Sequence, residues 1–218
     1  GVSLSANNLT GYGDVLTFRG NLSDGGTDLA RLSYVIPVGY YGTRLGASYS
    51  QLSYRLGKDF APLRAHGTAE VGTLYALHPV IRTRNVNLFV QIAAERISLK
   101  DRVESTGTVE DRTINSGKLA LAGDFRDRLG SGGLNAYSLG WTRGELELSS
   151  PALPAAGVRT EGGFEKVNLD YKRLQRLTDN ADLLFNLAGQ RASTNLASVE
   201  KVALGGPNAV RAYPVGEA

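Results

Sequence analysis

Period-two alternation of apolar and polar side chains governs this sequence. In "NVNLFVQIAAE", residues 85–95, Val86, Leu88, Val90, Ile92 and Ala94 share one face of an extended chain. Asn85, Asn87, Gln91 and Glu95 share the other, with Phe89 out of phase. A helix would scatter these residues around its axis, whereas a strand separates them cleanly. "KVNLDYK" repeats the pattern, with Val167, Leu169 and Tyr171 against Lys166, Asn168, Asp170 and Lys172. So do Leu119, Leu121 and Phe125 against Lys118, Ala122 and Asp124, and Ala30, Leu32, Tyr34 and Ile36 along an earlier stretch. Leu183, Phe185 and Leu187 stand against Asn186 and Gln190 in the same way. One stretch falls out of step. In "RLGASYSQLSYRL" the apolar phase changes at Gln51, which predicts either a bulge or emergence from an apolar layer.

The alternation predicts about ten strands, near 1–7, 14–20, 27–37, 43–55, 67–78, 85–98, 112–126, 133–147, 163–177 and 182–192. Many exceed the ~5–6 residues usual in soluble sheets. A ten-residue strand is ~34 Å long, and a ~40° tilt leaves ~25 Å of height, the apolar band of an outer-membrane barrel. The connections are one-sided, as such barrels require. "NNLTGYGD", "PVGYYGT", "PVIRTRN", "DRLGSGG" and "TDNAD" are short, and between them fall the longer "GKDFAPLRAHG", "KDRVESTGTVEDR" and "SSPALPAAGVRTEGG". "NLSDGG" is brief where a long connection is due. Tyr12, Tyr40 and Tyr41 sit at short turns, where an interfacial aromatic girdle belongs. The competing fold is a soluble β-sandwich, in which the same alternation marks core and solvent. The expected class is all-β, an antiparallel transmembrane β-barrel.

In that barrel the polar face lines a lumen. Arg19, Arg31, Glu70, Glu95, Lys118, Asp124, Lys166, Asp170 and Lys172 point into it, mixed in sign. So many charges suit water, a plug or a polypeptide in transit better than a side-chain-filled interior, although a merely solvated face gives the same pattern. No cysteine is present, so thiolate metal sites and disulfides are excluded within the chain. Lys and Arg are scattered, and the net charge is only +3, which argues against a nucleic-acid partner. His66 and His78 lie in no metal or triad context, and Glu104, Glu110 and Asp111 sit in a polar connection. Gly11 and Gly13, and the glycines of 130–133, read as turn residues. No enzyme, cofactor or metal is expected. The opening "GVSLSANNL" has neither a start methionine nor a signal-peptide pattern, so the chain reads as excised from a longer one.

The last fifteen residues, "LGGPNAVRAYPVGEA", carry Gly205, Gly206, Val210, Arg211, Ala212, Tyr213 and Glu217. They resemble the signature loop of the outer-membrane transporters of two-partner secretion, the haemolysin and filamentous-haemagglutinin exporters. The usual core there is Val-Arg-Gly-Tyr, and Ala212 stands in its third place. The Asn-Leu-x-Gly-x-x-Asp turn of "SLSANNLTGYGDVL" and the stretch "GASYSQLSYRLG" are similar to early barrel segments of that family.

The resemblance implies a barrel of about sixteen strands, preceded by periplasmic POTRA domains and a plug helix. Residues 1–218 would form part of the barrel, beginning at its second strand, with 193–218 starting the lumen-directed motif loop. POTRA domains, plug helix, first strand and closing strands would lie outside the chain, because ten strands alone would leave two unpaired edges. It also implies that Arg211 bonds a carboxylate on the inner wall, beyond these residues. A guanidinium suits that role through its fixed donors and permanent charge, and Gly205, Gly206 and Pro207 permit the reversal. The function implied is secretion of a large partner exoprotein, an adhesin, haemolysin or haem-binding protein, through the outer membrane to the cell surface without nucleotide hydrolysis. A barrel-assembly insertase, a passive diffusion porin and a soluble β-sandwich binding module remain alternatives. Outer-membrane lipid is the other expected partner.

Overall fold

Ten strands follow one another in a single antiparallel sheet, each paired with its neighbours in sequence. They are β1 (Val2–Asn7), β2 (Val15–Ser23), β3 (Thr27–Val38), β4 (Thr43–Arg55) and β5 (Ala65–Arg82), then β6 (Val86–Val103), β7 (Thr108–Asp127), β8 (Gly133–Leu148), β9 (Gly162–Thr178) and β10 (Ala181–Ala192). The computed structural model describes residues 1–23, 26–57, 62–149 and 161–201. The meander leaves β1 and β10 at the two ends of the order.

Register assigns every side chain to a face, because directly paired residues point the same way. One face carries Leu32, Leu45, Leu74, Ile92 and Leu119, all open to the surroundings, with Leu16 half-buried at its β2 end. Trp141, Val167 and Leu187 continue it across β8 to β10. A soluble sheet would cover this surface, yet Ile92 is 61% exposed and Leu74 64%. Such an open apolar face is what the outward wall of an outer-membrane barrel presents. On β6 the apolar outward positions run from Val86 to Ala94. Nine residues at ~3.4 Å each, tilted by ~40°, give about 23 Å of height, the thickness the lipid band requires. On β9 the band is bracketed by Glu165 above and Arg173 below. Arg173 reaches Asp127 at 2.6 Å and buried Asn135 at 2.6 Å, so its charge is met at the short-turn end.

β5, β6 and β7 are 18, 18 and 20 residues long, far more than the band needs. They continue above it, and this changes two sequence expectations. The stretch 100–112 is no long loop, since only residues 104–107 separate β6 from β7. Its polar residues pair along and between strands: Arg112 Nη2 meets Glu110 Oε2 of its own strand at 2.7 Å and Asp101 Oδ2 of β6 at 3.8 Å, and Tyr54 Oη donates to Asp101 Oδ1 at 2.6 Å. At Gln51 there is no bulge, because the register runs unbroken through β3, β4 and β5. Gln51 is where β4 rises out of the apolar layer. A register shift falls instead between Pro79 and Ile81 of β5, where proline cannot donate to the ladder, and another between Ala181 and Asp182 at the start of β10.

The short-turn end is built locally. In the β1–β2 turn, Asn8 Oδ1 accepts from Gly13 N at 2.8 Å, with Gly13 at φ 78°. Thr10 donates twice to Asp14 Oδ1, from N at 2.9 Å and from Oγ1 at 2.6 Å. Tyr12, Tyr40 and Tyr41 project from the turns and are exposed.

Candidate lumenal wall and loop root

The face opposite the lipid band collects the charges. Arg19 and Arg31 stand directly across from each other on β2 and β3, between Thr17 and Ser33. Two like charges side by side are unfavourable unless water or an anion separates them, so this part of the wall is a wet, positive patch. Further round, Lys118 Nζ on β7 bonds Glu95 Oε1 on β6 at 2.6 Å, and Thr73 Oγ1 donates to Glu95 Oε2 at 3.4 Å. Asp124 accepts from Asn87 Nδ2 at 3.1 Å. Asp170 accepts from Ser138 Oγ at 3.4 Å, and Lys172 on the same face of β9 is exposed. Eight of the nine charges expected on the inner wall therefore share one face.

Glu70 does not. It pairs with Gln51 on β4 and Ser98 on β6, which places it on the face of Leu74 and Ala94. The correction has a physical cause. Polarity marks the lumen only within the apolar band, and Glu70 lies on the part of β5 that stands above it, where the outer surface itself meets water. Gln51, Arg96, Asn115 and Glu145 occupy that surface beside it.

At that height the pattern inverts. Above the band the outer face is polar and the inner face becomes apolar: Ile97, Ile114, Leu146 and Phe164 are buried there. The inversion is visible in "IAAERISL", where apolar residues switch from Ile92 and Ala94 to Ile97 and Leu99 without a register shift in β6. Phe164 lies over Gly144, where an added Cβ would come within 2.7 Å of its ring and 2.9 Å of Ser116 Cβ.

The inner patch is covered by the segment after β10. Ser193 closes onto β9 through two bonds of 2.9 Å with Glu165. Leu196 and Ala197 then pack against Ile97, Ile114, Leu146 and Phe164. A single 3-10 turn, Ser198–Glu200, follows. Its Glu200 is 4% exposed and forms an ion pair with Lys166, itself 8% exposed. Neither Glu200 nor the apolar patch was anticipated from sequence. The expected motif residues Gly205, Gly206, Val210, Arg211, Ala212, Tyr213 and Glu217 lie outside the described residues. Among the described residues, no cluster of His, Asp or Glu has the makings of a metal site.

Comparison with known proteins agrees with this geometry. A family described as haemolysin secretion/activation protein ShlB/FhaC/HecB matches residues 1–216. The heme/hemopexin transporter protein HuxB of Haemophilus influenzae strain 86-028NP is 30% identical over 217 residues, covering 97% of this chain and 38% of that protein. CdiB from Escherichia coli shares the fold at a TM-score of 0.72 and 21% identity, over 96% of this chain and 40% of its own. CdiB from Acinetobacter baumannii follows at 0.66 and 22%, over 96% and 38%. The chain thus spans less than half the length of these relatives.

Proposed function

This chain belongs to the haemolysin secretion/activation protein family ShlB/FhaC/HecB, and from that premise we propose that the whole protein is a pore passing one large exoprotein from periplasm to cell surface. The single observation that carries this reading is the two-faced wall. A lipid-facing apolar band backs an inner face bearing Arg19, Arg31, Glu95, Lys118, Asp124, Asp170 and Lys172, mixed in sign. Such a surface holds water and offers an extended polypeptide transient contacts of either charge, without the deep apolar grip that would trap it. The relative HuxB is named for heme/hemopexin transport, which favours an exoprotein that handles haem or hemopexin over a general adhesin or haemolysin.

Energy for export comes, in this reading, from folding of the exoprotein outside the cell, with no nucleotide hydrolysed. Arg211 acts as a latch, its guanidinium bonding a carboxylate of the barrel wall. A bond of that kind is worth about 1.5–3 kcal/mol when sheltered and less in a wet lumen, so an arriving chain can displace it. The test is co-expression of the full-length protein with its partner exoprotein in a strain lacking both. Exoprotein at the surface supports the reading. Exoprotein retained in the periplasm beside a correctly inserted barrel contradicts it.

A further inference from the structure

The contact between Glu200 and the inner wall is more specific than a passing ion pair. Lys166 Nζ meets the Glu200 carboxylate and also donates to the Glu200 backbone carbonyl at 2.9 Å. Gln190 Nε2 reaches the same carbonyl at 2.9 Å, and also bonds Asn168 Oδ1 at 3.0 Å. Two wall residues on adjacent strands therefore read both the side chain and the backbone of one residue. That double reading fixes the 3-10 turn, whose Glu200 N bonds Ala197 O at 2.9 Å. Just before that turn, Leu196 and Ala197 fill the apolar inner patch.

Both charges are almost fully buried, and burying a charge is costly unless its partner is held in good geometry. A pore wall has no structural need for this. Lys118 and Glu95 show the ordinary solution, a pair between adjacent strands beside water. Lys166 instead spends its charge on a residue beyond the last strand, in the segment that leads toward Arg211.

We propose that Lys166, with Gln190 and the patch formed by Ile97, Ile114, Leu146 and Phe164, is a docking site for residues 196–200 that fixes the root of the motif segment to the inner wall. Lys166 is a positioning residue. It acts through Glu200 on the placement of Val210–Tyr213 and has no contact with cargo of its own. This rests on the transport reading only in supposing that the motif works from inside the pore. The anchor itself is independent of export.

The experiment uses the full-length protein in intact outer membranes. Cysteine is introduced as Ala197→Cys, a small change at a position 7% exposed, residues 1–218 holding no cysteine and any cysteine elsewhere in the full-length protein being replaced by serine. Labelling by a membrane-impermeant maleimide is timed with and without Lys166→Gln, and likewise with Glu200→Gln. Each variant is expected to speed labelling at least tenfold. Lys166→Arg, which keeps charge and donors, should stay within about threefold of the parent. Lys172→Gln, an inner-face change away from the dock, should leave the rate unchanged. Heat-modifiable migration on gels verifies that each barrel has folded. If Lys166→Gln fails to fold, Leu196→Ser, which alters only the docked segment, must give the same acceleration. Unchanged labelling in Lys166→Gln, or in Leu196→Ser where that variant replaces it, overturns the anchor. A parallel series at Ala212→Cys reads the motif: altered labelling there supports positioning, and unaltered labelling beside an opened root refutes it. Accelerated labelling in Lys166→Gln beside a folded parent protein that exports no exoprotein would count against the transport reading alone and leave the anchor standing.

Discussion

Lys118 on β7 holds Glu95 on β6 with 2.6 Å between Nζ and Oε1, and this pair marks the height at which the inner wall changes from charged to apolar. Below it stand Gln91, Asn87 and Asp124, and above it Ile97 and Ile114. The side chains of the pair are 33% and 15% exposed, so water screens it in part. Lys118→Glu places two carboxylates together and should destabilise the barrel by about 1 kcal/mol, read as a lower midpoint of heat-modifiable migration. The double exchange Glu95→Lys with Lys118→Glu should recover most of that loss. A double exchange no better than the single change would show that the pair does not contribute.

Gly144 is the tightest point of the apolar inner patch. Gly144→Ala drives a methyl group into Phe164 and Ser116, and overpacking of this kind costs about 1–3 kcal/mol. Gly117→Ala, with nothing within 4 Å of its added Cβ, should be neutral or slightly stabilising. Urea unfolding of the reconstituted barrel separates the two, and equal midpoints would contradict the packing described.

The lipid boundary on β6 predicts opposite outcomes for two outward positions four residues apart. Ile92→Arg puts a charge into hydrocarbon and should cost about 2–4 kcal/mol. Arg96→Ile, above the band, should change folding stability by less than about 0.5 kcal/mol. Folding free energies measured in lipid vesicles decide this, and an Ile92→Arg protein as stable as the parent would remove the lipid from that face.

How far the sequence alone reaches can be judged from these positions. The strand order and the faces of Val86–Ala94 were legible because lipid imposes one rule on every outward side chain. Glu70 and the 100–112 stretch escape that rule, which ends where the strands leave the membrane. There a strand is polar outside and, at Ile97 and Ile114, apolar inside, so polarity no longer reports direction. Glu200 could not be found by periodicity at all. Its role depends on where the chain folds after β10, and no local pattern encodes that.

The β1–β2 turn is a separate, pH-dependent feature. The Thr10 hydroxyl, helped by backbone bonds, holds the Asp14 carboxyl below its ordinary value of 3.8, and burial opposes this only in part. A lowered folded value means that the stabilisation is complete above about pH 4 and disappears as pH falls through the lowered value. Thr10→Val should raise the Asp14 titration midpoint and shift acid loosening of the turn to higher pH, followed by carboxyl NMR in detergent. An unmoved midpoint would show that the hydroxyl is not the cause.

The most direct test of the two-faced wall is a nitroxide scan along β6 from Val86 to Val103 in the full-length protein in bilayers, reading collisions with oxygen and with a water-soluble nickel reagent. Oxygen maxima are predicted at 88, 90, 92 and 94, giving way at 96 to nickel contact on the outward positions, with 97 and 99 hidden from both. Oxygen maxima continuing through 100, or positions 88 to 92 closed to both reagents, would contradict the account.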